Sequence, residues 1–255
     1  MTLERDYTVE GRPELEVRIG SGRVELKPSE DRTVKVRVDT NDADLTVEQR
    51  GNQVMVTSGQ KSRRWSTPPA YIVVEIPSNA DVLVHTASAN LDIGVAVRRV
   101  DFKSASGDIE VGSVEELLVK TASGSVTAET IGESMRVNAV SGNVRVTKSL
   151  KGSAVIITVS GDTRIEDAEA SVDISSVSGN ATVARFVGRS ANFKTVSGNI
   201  EFAVPPGTKA HMDTELRTGR VSLPGTPPPI TDILREMTIK AKSVSGDLTI
   251  NRTDS

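Results

Sequence analysis

The residues of this sequence that could take part in chemistry recur in two columns beside a repeated glycine. Serine often precedes this glycine, and Asp or Asn often follows it. A serine nucleophile needs a neighbouring base, whereas serines repeated with no base in the pattern are expected to form hydrogen bonds at a corner of the chain. We therefore predict no catalytic residue in either column. The serines are Ser106, Ser123, Ser141, Ser160, Ser178, Ser197 and Ser245, and the second column comprises Asp108, Asn143, Asp162, Asn180, Asn199 and Asp247.

Metal and cofactor chemistry is not favoured by these residues either. Some calcium-binding β-solenoids repeat Gly and Asp, but they have a nine-residue period and paired glycines, which this chain lacks. The two histidines, His85 and His211, match no metal-ligand spacing. Cysteine is absent, which excludes disulfides and thiolate sites. The sequence therefore predicts no metal site and no cofactor.

A carbohydrate-active enzyme would need carboxylates clustered at a defined separation. The outward positions that follow the repeated glycines mix acidic, basic and neutral residues, as expected for a solvated face. We therefore predict a protein that is not an enzyme, and sugar cleavage remains an alternative that needs a carboxylate cluster in one groove. The outward positions are Glu110, Thr127, Arg145, Arg164, Thr182 and Glu201.

Composition excludes other classes of function. The 255 residues include 31 basic and 34 acidic ones, a net charge of -3, so no basic excess favours nucleic acid or an anionic membrane. No apolar run reaches the roughly 18 residues of a membrane span. Residues Met1 to Gly20 are charged throughout and lack the apolar core of a signal peptide. A cytoplasmic protein is expected if Met1 is the native start, and a cell-envelope protein if a leader was removed.

These columns belong to a repeated phrase, V-S-G-N/D followed by an apolar, a polar and an apolar residue. The phrase beginning at Val140 is followed by close copies beginning at Val159, Val177, Val196 and Val244. Successive glycines from Gly107 to Gly219 are separated by 17 to 21 residues, which indicates a repeat architecture. The repeated glycines that we assign to corners are Gly107, Gly124, Gly142, Gly161, Gly179, Gly198 and Gly246.

Each repeat reads as two short strands joined by two corners, so the phrase predicts one coil of a single-stranded β-solenoid. The fold class is therefore all-β, with coils of about 18 residues that stack so that Val, Ile, Leu and Ala form columns inside. Glycine is expected at a corner because the chain there takes a positive φ or packs tightly on the next coil. Gly161→Val is expected to disturb the stack.

The first 80 residues alternate apolar and polar residues in short runs, which predicts half-buried strands. Turn residues at Gly20-Ser21-Gly22, Asn41-Asp42 and Gly51-Asn52 predict hairpins between these runs. We therefore predict an N-terminal antiparallel β region at 1–80 that caps the solenoid repeats of 81–255. A proline-rich insertion at 224–237 with a short helical turn interrupts the repeats, and the whole is expected to be one continuous unit.

Candidate interaction residues lie where the pattern is broken. Val155 and Ile157 are apolar on the face opposite the inward Ile156, and Leu118 is assigned to the same outward column two coils earlier. Two interpretations stay open: the insertion covers this face, or the face contacts a partner or a second copy of the chain. The loop at 59–70 is a second candidate, since it carries Arg63, Arg64 and Trp65.

With this phrase in hand, the sequence resembles a bacterial family of domains of unknown function described as adhesin-like, with β-strand repeats. The resemblance covers nearly the whole chain and includes Ser21-Gly22, the Ile76-Pro77 step and the Val204-Pro205-Pro206-Gly207 step. It implies a right-handed β-solenoid and a role at the cell envelope. The expected function is a non-enzymatic scaffold or binding module whose faces contact a protein or glycan partner. The alternative is a structural protein that assembles by stacking its terminal coils.

Overall fold

The structure is a computed structural model that describes residues 1–59, 68–223 and 235–253, and every regular element among them is a β-strand. In this part of the chain, no helix has the length and hydrophobicity that a membrane crossing needs. The protein is therefore all-β, as predicted. It comprises two compact units, Met1–Ala128 and Glu129–Ser255. The predicted division at residue 80 stays a prediction.

The first unit combines parallel and antiparallel strands. Strand β2 pairs in parallel with β5 and β6 on one side and with β7 on the other, and β7 continues in parallel to β8 and β9. Antiparallel strands border this stack, because β3 pairs with β6, β1 with β3, and β4 with β5. The strands are β1 (Thr2–Thr8), β2 (Glu14–Pro28), β3 (Thr33–Thr40), β4 (Thr46–Arg50), β5 (Gln53–Thr57), β6 (Ala70–Ile76), β7 (Asp81–Ile93), β8 (Val97–Ser106) and β9 (Ile109–Ser123).

Of the turns predicted in the first 80 residues, one is confirmed and another is wrong. The Gly51-Asn52 hairpin is confirmed, since Arg50 pairs with Gln53 between β4 and β5. The turn predicted at Gly20-Ser21-Gly22 is wrong, because these residues lie inside β2. Gly22 has φ 131° and lies against the Ala70 carbonyl. Glycine is needed here because two strands approach each other closely, and the chain does not reverse its direction. The antiparallel region is consequently mixed, with β2 paired in parallel.

The second unit is a stack of parallel strands. Along one face the order is β11, β12, β14, β18 and β16, and along the next face it is β11, β12, β13, β15, β19 and β17. Each strand pairs with the equivalent strand of the next coil, which is the solenoid arrangement. Right-handedness and a coil of about 18 residues stay predictions. The strands are β10 (Val126–Ser141), in which the division between units falls, β11 (Val144–Ser160), β12 (Thr163–Ser178), β13 (Ala181–Phe186), β14 (Ser190–Ser197), β15 (Ile200–Val204), β16 (Thr208–Thr218), β17 (Val221–Ser222), β18 (Arg235–Ser245) and β19 (Leu248–Arg252).

The order of the last two coils in space is the reverse of their order in the chain. Strand β14 pairs with β18, whose other edge pairs with β16, and β15 pairs with β19, which also pairs with β17. The repeat pattern alone suggests a stack that grows in chain order, and the structure corrects this. The residues 235–237, assigned from sequence to the insertion, begin β18, and the rest of that insertion, 224–234, lies outside the described residues.

Side chains explain why β18 and β19 take the inner place. Their inward residues Met237, Ile239, Leu248 and Ile250 are buried, as a coil with neighbours on both sides requires. On the outer coil, the inward positions of β16 are only half-buried or exposed, and Thr214 stands where β18 has Ala241. The less apolar coil therefore lies where one of its sides faces solvent.

A truncated chain distinguishes the observed order of the last two coils from an order that follows the sequence. We expect a chain ending at Leu223 to lose the folded state of 208–223, because β16 and β17 then lack the strands with which they pair. Limited proteolysis should cleave within this segment of the shortened chain and not in the full chain. A chain ending at Val204, the control, should resist protease throughout its second unit. Equal resistance of 208–223 in the shortened and full chains would contradict the observed order.

Stacked aliphatic columns form the core of the second unit. For example, Val146, Ile165, Val183 and Ile250 occupy equivalent positions of different coils and are at most 3% exposed. Two of the largest buried side chains pack together, since the rings of Phe193 and Phe202 stack with their centroids 5.5 Å apart. The core is therefore thin and repetitive, as the 3% aromatic content suggests.

Glycines form a close-packed column at the corner of the second unit. A Cβ atom on Gly161 would lie 2.1 Å from the carbonyl oxygen of Gly142, and one on Gly246 would lie 2.1 Å from that of Gly198. A Cβ on Gly219 would in turn lie 2.0 Å from the Gly246 oxygen, which repeats the reversed order of the last coils. The corner therefore leaves no room for a side chain.

Candidate functional site

The Asp/Asn column is occupied by backbone hydrogen bonds. The Oδ1 atom of Asn143 accepts the N–H of Asp162 at 3.0 Å, and Oδ1 of Asp162 accepts the N–H of Asn180 at 2.8 Å. The same bond runs from Asp247 N–H to Asn199 and from Arg220 N–H to Asp247. Asp and Asn can exchange in this column because both supply Oδ1. The column therefore ties each coil to the next.

The serine column has a backbone role as well. The carbonyl oxygens of Ser178, Ser197 and Ser245 accept the N–H groups of the corner glycines one coil away, at 3.1 Å in each case. The serine side chains at these positions are exposed, and the phrase places no histidine beside them. The arrangement that activates a serine nucleophile is therefore not assembled at this corner.

His85 is the histidine with a perturbed environment. It lies on β7 between Arg18 and Lys103 of the neighbouring strands. Burial lowers its pKa, and the positive charge of Lys103 lowers it further. Asp101 acts in the opposite direction but does not reverse the shift. The imidazole is held towards its neutral form by packing and neighbouring cations, which is a structural role.

Three carboxylates line a cleft of about 280 Å³ in the first unit. Asp92 and Glu110 are paired across adjacent strands there, with Asp108 nearby. Arg23 binds Asp92 at 2.7 Å, and the N–H of Ser125 occupies Oδ1 of Asp108 at 2.7 Å. Glycoside hydrolysis requires two carboxyl groups free to act on one bond. Two of these three are engaged, so the cleft does not supply that pair.

An apolar groove on the second unit has the features of a binding site. We call it the valine groove and define it by Ile157, Val159, Val177, Val196 and Val244, which lie on the outer face of four coils. These side chains are 45–48% exposed, although each is aliphatic and branched. The groove has a cavity volume of about 470 Å³. Four successive coils therefore present apolar side chains to solvent in one line.

Hydroxyl groups lie beneath these valines, since Thr158 and Ser176 occupy the inward column between them. The Thr158 hydroxyl donates to Ser176 Oγ at 3.1 Å, and Thr158 is only 2% exposed. The Thr158 hydroxyl below the valines is thus turned towards the stack, and apolar groups form most of the surface that a ligand meets.

Charged residues border the groove towards β16. Lys194, Lys242, Arg217 and Glu215 line it, so basic groups outnumber the acidic one by three to one. Lys242 and Glu215 are 2.7 Å apart. This hydrogen bond, together with the attraction between the charges, lowers the pKa of Glu215 and raises that of Lys242. Among the described residues Lys194 has no ion-pair partner, so its ammonium is available to an acidic ligand.

The residues proposed from sequence are only partly brought together. Ile157 lines the valine groove, whereas Val155 is half-buried two residues away and pairs with Asp173. Leu118 lies in the first unit, half-buried beside Asp101. Arg63, Arg64 and Trp65 lie outside the described residues. The candidate site thus retains Ile157 and adds four valines.

Sequence reasoning missed these valines although a signal for them exists. The strand alternates in steps of two, and Ile156 is inward. Counting from Ile156 places Thr158 inward and Val159 outward. The valine that opens each phrase is therefore on the surface, and its repetition indicates an apolar stripe.

Comparisons with known proteins give the family. Residues 13–251 match the model of the family described as Toastrack DUF4097. Among curated proteins, none matches this chain. Similar solved structures include a "putative adhesin" from Bacteroides fragilis, with 12% identity, a TM-score of 0.48 and coverage of 98% of this chain and 97% of that chain. Another, from Parabacteroides distasonis, has 13% identity, a TM-score of 0.38 and the same coverages, 98% and 97%. Because these TM-scores are low, the family assignment rests on the match to the family model.

Proposed function

This chain belongs to the Toastrack DUF4097 family, and from that premise we propose that it is a non-enzymatic binding module whose recognition surface is the valine groove. The observation that carries the proposal is the line of exposed aliphatic side chains on four successive coils. Removing such side chains from water on binding is favourable, by roughly 25 cal/mol per Å² of apolar surface. Contiguous exposed apolar surface on a soluble unit is typical of an interaction site.

The groove favours a protein partner over a glycan. A sugar buried against this surface would leave its hydroxyl groups facing valine methyls, and unpaired polar groups are costly to bury. Among the described residues, those that line the groove include no aromatic ring on which a sugar could stack. An apolar protein segment meets neither difficulty. Since Lys194, Lys242 and Arg217 border the groove, we expect acidic residues beside that segment.

A peptide selection tests this proposal. Peptides selected on the full chain from a random library should carry an apolar stretch flanked by Asp or Glu. Their affinity should fall on the order of tenfold or more for the double variant Val177→Thr, Val196→Thr, because each change replaces a methyl group with a hydroxyl group of similar size. The affinity is measured by isothermal titration or fluorescence polarisation.

The matched control is Val140→Thr. Val140 occupies the same position of its phrase and is 54% exposed, but it does not line the groove. It should leave peptide binding unchanged. Peptides that bind the double variant as tightly as the unchanged chain, or binding confined to a glycan array, would refute the assignment of the groove to a protein segment.

A second candidate function, self-assembly through terminal coils, is favoured by the outer coil of the second unit. The strands β16 and β17 are exposed over most of their length. Such an edge offers unpaired backbone groups to another strand. The apolar side chains of the groove lie on β11, β12, β14 and β18, and only its charged border reaches β16. Variants at Val177 and Val196 therefore separate the two functions.

A further inference from the structure

The edge of β16 has a charge pattern that complements itself when it is reversed. Among the strands that the structure describes, β18 pairs with one edge of β16, and no strand pairs with the other. Met212 is the centre of this pattern. His211 and Asp213 lie one residue on either side of it, and Lys209 and Glu215 lie three residues on either side. A strand with this symmetry can pair with a copy of itself in the antiparallel direction. Lys209 and Glu215, which are opposite in charge, then face each other on each side of the twofold axis, and His211 faces the carboxylate of Asp213.

We propose that β16 pairs with β16 of a second copy of this chain, antiparallel and centred on Met212. In this register Lys209 faces Glu215 of the second copy, and His211 faces its Asp213. All four residues are exposed, so they lie on the outer face of the sheet. Ala210 then faces Thr214, and Met212 faces its own equivalent. The half-buried inward side chains of the outer coil are thereby covered.

The neighbouring strand extends the complementarity. Within one copy, Lys209 contacts Glu236 at 3.3 Å and Glu215 contacts Lys242 at 2.7 Å. Pairing of the two edges therefore produces a row in which charge alternates: Glu236 and Lys209 of one copy, then Glu215 and Lys242 of the other. Asp213 is likewise paired with Lys240 in its own copy. Lys209 and Glu215 thus each have an opposite charge on both sides, whereas His211 has Thr238 on its inner side.

Other registers lack this match. A shift of two residues one way brings Lys209 to Arg217 and Asp213 to its own equivalent, so like charges face each other. A shift of two the other way lets Lys209 face Asp213, but it brings His211 to its own equivalent and leaves Glu215 facing Gly207, so it has fewer matched positions. A shift of one residue places outward side chains against inward ones. The register centred on Met212 is therefore the one that the side chains favour.

The first unit provides a precedent for an antiparallel strand at the border of a parallel stack. There β6 is parallel to β2 on one edge and antiparallel to β3 on the other. The geometry of a coil edge in this protein thus accepts an antiparallel neighbour. In the proposed dimer, the second copy supplies that neighbour for β16.

Sedimentation of the full chain over a range of concentrations tests the proposal. The chain should form a dimer of twice 27.2 kDa. Each single variant, Lys209→Glu or Glu215→Lys, should weaken dimerisation on the order of tenfold or more, because each places two pairs of like charges across the interface. An equimolar mixture of the two variants should restore the dimer, since every facing pair is then opposite in charge.

Lys120→Glu on β9 is the control, because it changes charge equally on an exposed residue of the first unit and should leave the dimer intact. Melting temperatures of all variants establish that they are folded. A monomer at every concentration would overturn the proposal. So would masses that grow beyond the dimer, or a mixture that stays monomeric. The groove variants should not affect these masses, so the two proposals fail independently.

Discussion

Gly161→Val should lower the free energy of unfolding of the second unit by about 4 kcal/mol or more. Gly161 has φ 134°, a conformation that β-branched residues rarely adopt. Its Cβ atom would lie 2.1 Å from the carbonyl oxygen of Gly142, and that oxygen belongs to backbone. The coils must therefore separate at this corner, where the N–H of Gly161 also donates to the carbonyl of Ser178. Urea unfolding monitored by circular dichroism measures the loss.

Gly112→Val is the matched control for this change. Gly112 lies in β9, and a Cβ atom there would be 3.6 Å from the Ile93 carbonyl oxygen, an ordinary van der Waals distance. Its backbone does not have the positive φ of the corner glycines. We expect a loss of less than about 1 kcal/mol, as for most substitutions without a buried defect. Similar unfolding midpoints for the two variants would mean that the corner tolerates side chains.

Phe202→Ala should destabilise the second unit by about 3 to 5 kcal/mol. Phe202 is fully buried on β15 between Val183 and Ile250 of the adjacent coils, and its ring stacks on Phe193. Removing the ring leaves a cavity that a hydrogen-bonded stack closes only partially, because neighbouring strands are held at fixed separations. Thermal or urea unfolding gives the change in stability.

A double variant tests the ring contact itself. Phe193→Ala and Phe202→Ala share one cavity, so their combined loss should be smaller than the sum of the single losses. Tyr71→Ala, at a residue that is 58% exposed, is the control for removal of an aromatic ring and should cost less than about 1 kcal/mol. Strict additivity of the two phenylalanine variants would argue that the rings do not support each other.

Predictions from local periodicity succeeded where the structure depends on neighbours along the chain. Alternation predicts the half-buried strand β3, and Gly51-Asn52 predicts the hairpin between β4 and β5, because both follow from backbone geometry within a few residues. The turn predicted at Gly20-Ser21-Gly22 is wrong because glycine is found both in turns and where two strands approach each other closely. Local sequence does not distinguish the two uses.

Two other features depend on the packing of distant coils. The placement of β18 between β14 and β16 is a choice among edges that offer the same hydrogen bonds, and the repeat makes these edges alike. The exposed valines were overlooked because aliphatic residues in a repeat are expected in the core. The alternation of side chains along the strand places Val159 on the surface, but only the arrangement of several coils shows that such valines form a groove.

The reversed order of the last coils has a consequence for synthesis on the ribosome. When the chain has been made as far as Leu223, β14 and β15 still lack their neighbours on the open side, and β16 and β17 lack β18 and β19, the strands with which they pair in the structure. Both edges stay without these partners until residues 235–252 have been synthesised. This part of the stack is therefore completed late in synthesis, after all of its other strands have been made.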